Sequence, residues 1–126
     1  MENKNCIFCS LEKSRVIKSN ELALAFRDNF PVTRLHTLIV PRRHAKDYFE
    51  LTHEEVTACN SLINQIRIDL MEEDSSIEGF NIGINAGEVA GQTVFHCHIH
   101  LIPRRKGDVE NPRGGVRHII PGKGFY

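Results

Sequence analysis

The sequence has no surplus of either charge. Sixteen Lys and Arg balance sixteen Asp and Glu, whereas a protein that grips duplex DNA through its phosphates needs a basic excess. Long apolar runs are also missing: the longest, residues 36–41 and 94–103, end well short of the roughly 18 residues that a membrane span requires. The first twenty residues contain charges throughout and no apolar block, so they are not a secretory signal and a cytoplasmic protein is expected. There is no internal repeat and no low-complexity tract. Cys6 and Cys9 form a Cys-x-x-Cys with no second pair, so neither a zinc ribbon nor a C2H2 finger is written here.

What is present suits one compact domain: 126 residues, 40% of them apolar. Charge is balanced globally but not locally. Residues 46–78 carry nine acidic and two basic side chains, while residues 103–126 carry six basic and two acidic. The body is assigned to residues 1–105, and residues 106–126, in which Pro and Gly recur, to an extended basic tail that packs on the domain or on a partner subunit.

Four β-rich segments bounded by breakers are expected as strands at residues 21–26, 36–40, 80–85 and 94–102. A helix from Thr52 to about Glu73 follows from the apolar stripe of Val56, Cys59, Leu62, Ile63, Ile66 and Leu70. Thr52 and Glu55 write its capping box. A short helical turn is expected at residues 45–49. The predicted class is α+β, a mostly antiparallel sheet with one long and one short helix.

The most informative stretch is His96-Cys97-His98-Ile99-His100-Leu101-Ile102. On a strand, alternate residues share a face, so the three imidazoles are expected side by side with Cys97, Ile99 and Leu101 behind them. Two chemistries use such a row. Three neutral imidazoles can chelate a metal that keeps an open position, or one can attack an electrophile while its neighbours orient it and stabilise charge.

The segment resembles the signature of the histidine triad family, His-φ-His-φ-His-φ-φ with φ apolar. Phe26-Arg27-Asp28, residues 36–44 (HTLIVPRRH), Asn85-Ala86-Gly87 and residues 91–94 (GQTV) are similar to family landmarks in the family's order. The resemblance implies a nucleotide-binding α+β homodimer that hydrolyses or transfers nucleoside monophosphate groups. It implies His98 as the nucleophile, His100 beside the scissile bridge and His96 as support from the first position. Phosphate contacts fall to Asn85, Gln92 and Thr93, and ribose contacts to Asp28. Phe8 and Phe26, with Ile7 and Leu11, are to line the base pocket.

In the branch with an N-terminal Cys-x-x-Cys, the resemblance implies a structural zinc held by Cys6, Cys9, His44 and His96, and no organic cofactor. Residues 103–108 (PRRKGD) look more like the dinucleoside polyphosphate hydrolases of the family than its phosphoramidases, with the cations near distal phosphates. A purine nucleotide or dinucleoside polyphosphate is therefore the expected partner, and nucleic acid and membrane are not. An adenosine phosphoramidase and a regulatory nucleotide-binding module with little turnover are the alternatives, with a three-histidine metal hydrolase as a third. Leu35 departs from the pattern, standing where many relatives carry glycine. His36 reads as a satisfied structural histidine at the head of its strand.

Overall fold

The computed structural model describes residues 3–126. Its framework is a five-stranded antiparallel sheet built from β1 (Val16–Ser19), β2 (Ala23–Arg27), β3 (Thr37–Pro41), β4 (Ile77–Ile84) and β5 (Ile99–Arg105). The spatial order is β1-β2-β3-β5-β4. One long helix, α1 (His53–Glu73), covers one face. Thr52 caps it as expected: its side chain accepts from the Glu55 N–H, and Glu55 accepts from the Thr52 N–H.

Alternation along the strands decides which side chains meet α1. Ala23 and Ala25 of β2, Ile39 of β3 and Ile99 and Leu101 of β5 pack against Cys59, Leu62, Ile66 and Leu70 of the helix. The two alanines in this layer let the helix approach the sheet closely. The opposite face is left to other partners: Phe26, Leu38 and Val40 meet Phe8, Leu11 and Leu24 there. Register then runs one row across that open face, Phe26 beside Leu38, Leu38 beside His100 and His100 beside Gly83. Gly83 has no side chain to fill the space beside the imidazole.

Four expectations change. Strand β5 starts at Ile99 rather than at residue 94, because residues 94–96 bend and the Cys97 N–H donates to the Ala45 carbonyl at 2.7 Å instead of joining a ladder. The tail, expected to be extended, folds at Gly115–Ile119 into a 3-10 turn. The short helix expected at residues 45–49 is a single 3-10 turn, Tyr48–Glu50, capped by Asp47. Strand β1, absent from the expected set, has only four residues and pairs at the sheet edge.

Leu35 occupies the left-handed region with φ 72°, the conformation glycine adopts without steric cost. Its side chain packs against the helix-covered core. Among the described residues no helix is long and apolar enough to cross a membrane.

Candidate active site and metal centre

Residues 85–98 leave β4 and return to β5 around the open end of the sheet. Gly87 (φ 98°) and Gly91 (φ 97°) bracket a 3-10 turn, Glu88–Ala90, at angles that a Cβ would strain. The loop is closed from inside by Gln92. Its Oε1 accepts from the Gly87 N–H at 2.8 Å, and its Nε2 donates to the Lys46 and Val94 carbonyls at 2.7 and 3.1 Å. Gln92 is buried, so of the three residues expected at phosphate, Asn85 and Thr93 line the open cavity and Gln92 does not.

The three histidines do not form one row. His96 turns away, and its Nε2 donates to the Pro41 carbonyl at 2.8 Å. A carbonyl only accepts, so the proton is on Nε2 and the Nδ1 lone pair is free. That nitrogen lies 3.5 Å from both the Cys6 and the Cys9 sulfur, while His44 Nδ1 lies 3.2 Å from Cys9 Sγ. The four ligand atoms fall within 4.8 Å of one another.

Zinc–sulfur and zinc–nitrogen bonds of about 2.3 and 2.0 Å at the tetrahedral angle put neighbouring sulfur and nitrogen about 3.5 Å apart. The donor set and spacing therefore fit zinc, and four protein ligands close the shell. The Cys9 N–H also points at Cys6 Sγ, at 3.4 Å, as suits a thiolate. The other thiols sit in the core, where burial pushes Cys59 up to about 11 and Cys97 up to about 12, which leaves them protonated and inert.

His98 is oriented by its neighbour's backbone. Its Nδ1 donates to the His96 carbonyl at 2.9 Å, leaving Nε2 unprotonated in the neutral ring. The imidazole lines a cavity of about 580 Å³ shared with Ile7, Phe8, Phe26, Asp28, Asn85 and Thr93. Phe8 stacks edgewise on His98, with ring centroids 5.2 Å apart, and meets Phe26 at 5.3 Å. Leu11 packs behind this pair instead of on the wall.

His100 follows at 5.3 Å from His98. Its Nδ1 sits 2.9 Å from His36 Nε2, and His36 Nδ1 accepts the Val32 N–H at 3.1 Å. That amide fixes the chain of protons: His36 carries its hydrogen on Nε2 and gives it to His100 Nδ1, so His100 presents an Nε2–H. Burial, helped by the neighbouring His98 and His36 and opposed by Asp28, lowers His100 to about 4. Asp28 Oδ2 is 3.5 Å from His36, and its Oδ1 accepts from the Phe30 N–H.

Two contributors were not visible as such in the sequence. His36 read as a structural residue because its strand is apolar, and only the fold places it behind His100. Arg15, just before the unanticipated β1, reaches over the Phe26 ring at 5.4 Å and lines the same cavity; no local signal marks it. Of the cations expected near distal phosphates, Arg104 is bound to Asp108 and Arg105 to Asp74.

Residues 11–107 match the HIT domain family. A HIT family protein of Bacillus anthracis superposes with a TM-score of 0.76 at 40% identity, covering 83% of this chain and 77% of that one. A zinc-bound histidine triad family protein of Mycobacterium smegmatis gives 0.75 at 36% identity, covering 82% and 78%. Among relatives by sequence, the asymmetrical bis(5'-nucleosyl)-tetraphosphatase of Schizosaccharomyces pombe is 36% identical over 95 residues, 75% of this chain and 52% of that protein. A match over most of the chain, carrying the His-x-His-x-His segment, places this protein in the histidine triad family.

Proposed function

We propose that this protein cleaves a nucleoside phosphoanhydride through a covalent nucleotidyl-His98 intermediate. The observation that carries the reading is the bond from His98 Nδ1 to the His96 carbonyl, which leaves a bare Nε2 in a cavity with aromatic walls at one end and Asn85, Thr93 and Asp28 around it. The Nε2 lone pair attacks the α-phosphorus. The phosphorus–oxygen bond to the leaving phosphate breaks, and its electrons stay on that oxygen. Water then attacks phosphorus and gives up a proton to the solvent, the P–N bond returns its electrons to His98, and the nucleoside monophosphate leaves. Two easier displacements replace one hard one.

His100 Nε2–H is the donor beside the bridging oxygen. With burial lowering it to about 4, the ring is neutral near pH 7 and stabilises charge by a hydrogen bond without delivering a proton. A polyphosphate departs as an anion and needs none, whereas an amine leaving group does. This favours the anhydride over the phosphoramidate reading, and so does the tetraphosphatase activity named for the fission-yeast relative.

Cys6, Cys9, His44 and His96 hold a structural zinc in this reading, tying the N-terminal segment to the triad. Strand β4 forms the outer edge of the sheet, and its pairing with a second copy is the proposed route to a homodimer. The protein is read as cytoplasmic.

The test is His98→Ala assayed with diadenosine tetraphosphate and an adenosine phosphoramidate. Turnover should fall by about a thousandfold with AMP binding retained. An unchanged rate removes the mechanism. Rapid-quench intact mass of wild type should show an adenylyl adduct that the variant lacks.

A further inference from the structure

The aromatic end of the cavity that holds His98 is walled by Phe8 and Phe26, with Leu38 beside them. Such a wall accepts the face of any base and tells none apart, because every base has a π-face. Bases are distinguished at their edges, by where each donates and accepts. Two further polar side chains, Arg15 and Asn29, line this cavity, and neither has a task in the His98 chemistry.

The two act as one unit. Arg15 Nη2 donates to Asn29 Oδ1 at 2.8 Å and to the Arg27 carbonyl at 3.1 Å. Arg15 Cζ lies 5.4 Å from the centroid of the Phe26 ring, which sets the pair at the aromatic end. A guanidinium only donates, so the Asn29 amide oxygen must face it and the amide nitrogen must face away. Both Nη2 hydrogens are used in these bonds. The Nη1 and Nε hydrogens of Arg15 and the Nδ2 hydrogens of Asn29 have no hydrogen-bond partner among the described residues. With its amide oxygen engaged, the unit offers donors to whatever lies in the pocket.

The two purines meet such an edge differently. Guanine carries two acceptors side by side, O6 and N7, the pair that an arginine fork fits. Adenine carries one acceptor, N7, beside an N6 amine that donates. A lone asparagine would suit adenine, pairing Oδ1 with the amine and Nδ2 with N7. Here Arg15 occupies that oxygen, so the adenine amine meets a donor where it needs an acceptor. Arg15 is half-buried and Asn29 exposed. Water therefore relieves part of the mismatch, and the expected discrimination is about tenfold rather than the 10⁴ or more of a dry site.

We propose that Arg15, set in place by Asn29, selects guanine over adenine by donating to O6 and N7. The inference rests on the nucleotidyl-His98 reading for the placement of the nucleotide, and deepens it by naming the base of the preferred substrate.

Calorimetry on the wild-type protein with GMP, IMP and AMP tests it. IMP keeps O6 and N7 and lacks the 2-amino group. GMP and IMP should bind within about twofold of each other and about tenfold tighter than AMP. Equal affinities for GMP and AMP overturn the proposal, leave the His98 reading standing, and need no variant to fold. IMP bound only as well as AMP assigns the preference to the 2-amino group and also overturns it. Arg15→Met keeps an unbranched stem against Phe26 and removes the donors, so it should bring GMP and AMP within about twofold. A preference that survives this substitution puts the reader elsewhere. Loss of all nucleotide binding on Arg15→Met makes Arg15 a strut for the chain at Arg27. Either result overturns its role in selection. If no nucleotide binds to the wild type, the His98 reading falls first, and this inference with it.

Discussion

Among the described residues, two clusters gather ligand-type atoms within 4.8 Å: Cys6, Cys9, His44 and His96 on one side, Asp28, His36 and His100 on the other. They differ in where the protons go. In the first, the Pro41 carbonyl takes the proton on His96 Nε2 and leaves Nδ1 facing two sulfurs. In the second, the Val32 amide occupies His36 Nδ1, so the remaining nitrogen bears hydrogen and gives it to His100. A cation at the second cluster would meet an N–H where it needs a lone pair. The partner on the far side of each imidazole therefore decides whether a cluster can accept a metal or relays a hydrogen-bond direction.

Loss of the first cluster should have the largest effect. Cys9→Ser, or chelation, is expected to take bound zinc from one per chain to near zero and to lower stability by about 3 kcal/mol or more, read by metal analysis and thermal unfolding. Because Ile7 and Phe8 lie between the two cysteines and line the cavity that holds His98, the AMP affinity expected of the proposed function should fall with the metal. Wild type that binds two zinc ions with equal affinity would break the contrast between the clusters.

His36→Gln should leave one zinc per chain and cost about 10- to 100-fold in kcat, since it removes the group that orients His100. KM should move little, which separates loss of positioning from loss of the pocket. A KM effect with kcat intact would make His36 a packing residue.

The smallest expected effect is on stability in mild acid. His100 has a folded value of about 4, below the ordinary 6.5, so between these values the unfolded chain binds the extra proton. Stability is then full above about pH 6.5 and falls as pH drops toward 4. The melting temperature of zinc-loaded protein should decline over that window, and His100→Asn should flatten the decline. An unchanged slope would show that His100 is not held neutral by its burial.

Much of the framework was legible in the chain. The apolar stripe and capping box of α1 are local, and the helix starts where Thr52 and Glu55 put it. Hydrophobic runs located four of the five strands to within a few residues at most ends. The exceptions have physical reasons. Residues 94–98 have strand composition, but Cys97 bonds to the Ala45 carbonyl and the loop closes around Gln92, a tertiary choice that no period reveals. Strand β1 is four residues of half-buried edge, too short to show alternation. Leu35 was visible as a departure from a glycine position, and the fold accepts φ 72° there while its side chain joins the core.

The sequence alone determined the residue types and their order: a Cys-x-x-Cys, a His after Pro-Arg-Arg, and three histidines at period two beside a glycine-bracketed loop. Those determine which chemistry is available, because thiolates and imidazoles have fixed donor properties wherever they stand. Tertiary structure alone decided how the histidines divide. His96 leaves the row for the cysteines, His98 keeps a bare Nε2, and His36, sixty-four residues from His100, becomes its partner. The physical reason is that an imidazole's role depends on which of its two nitrogens carries the proton, and that is set by backbone carbonyls and amides brought to it from distant parts of the chain.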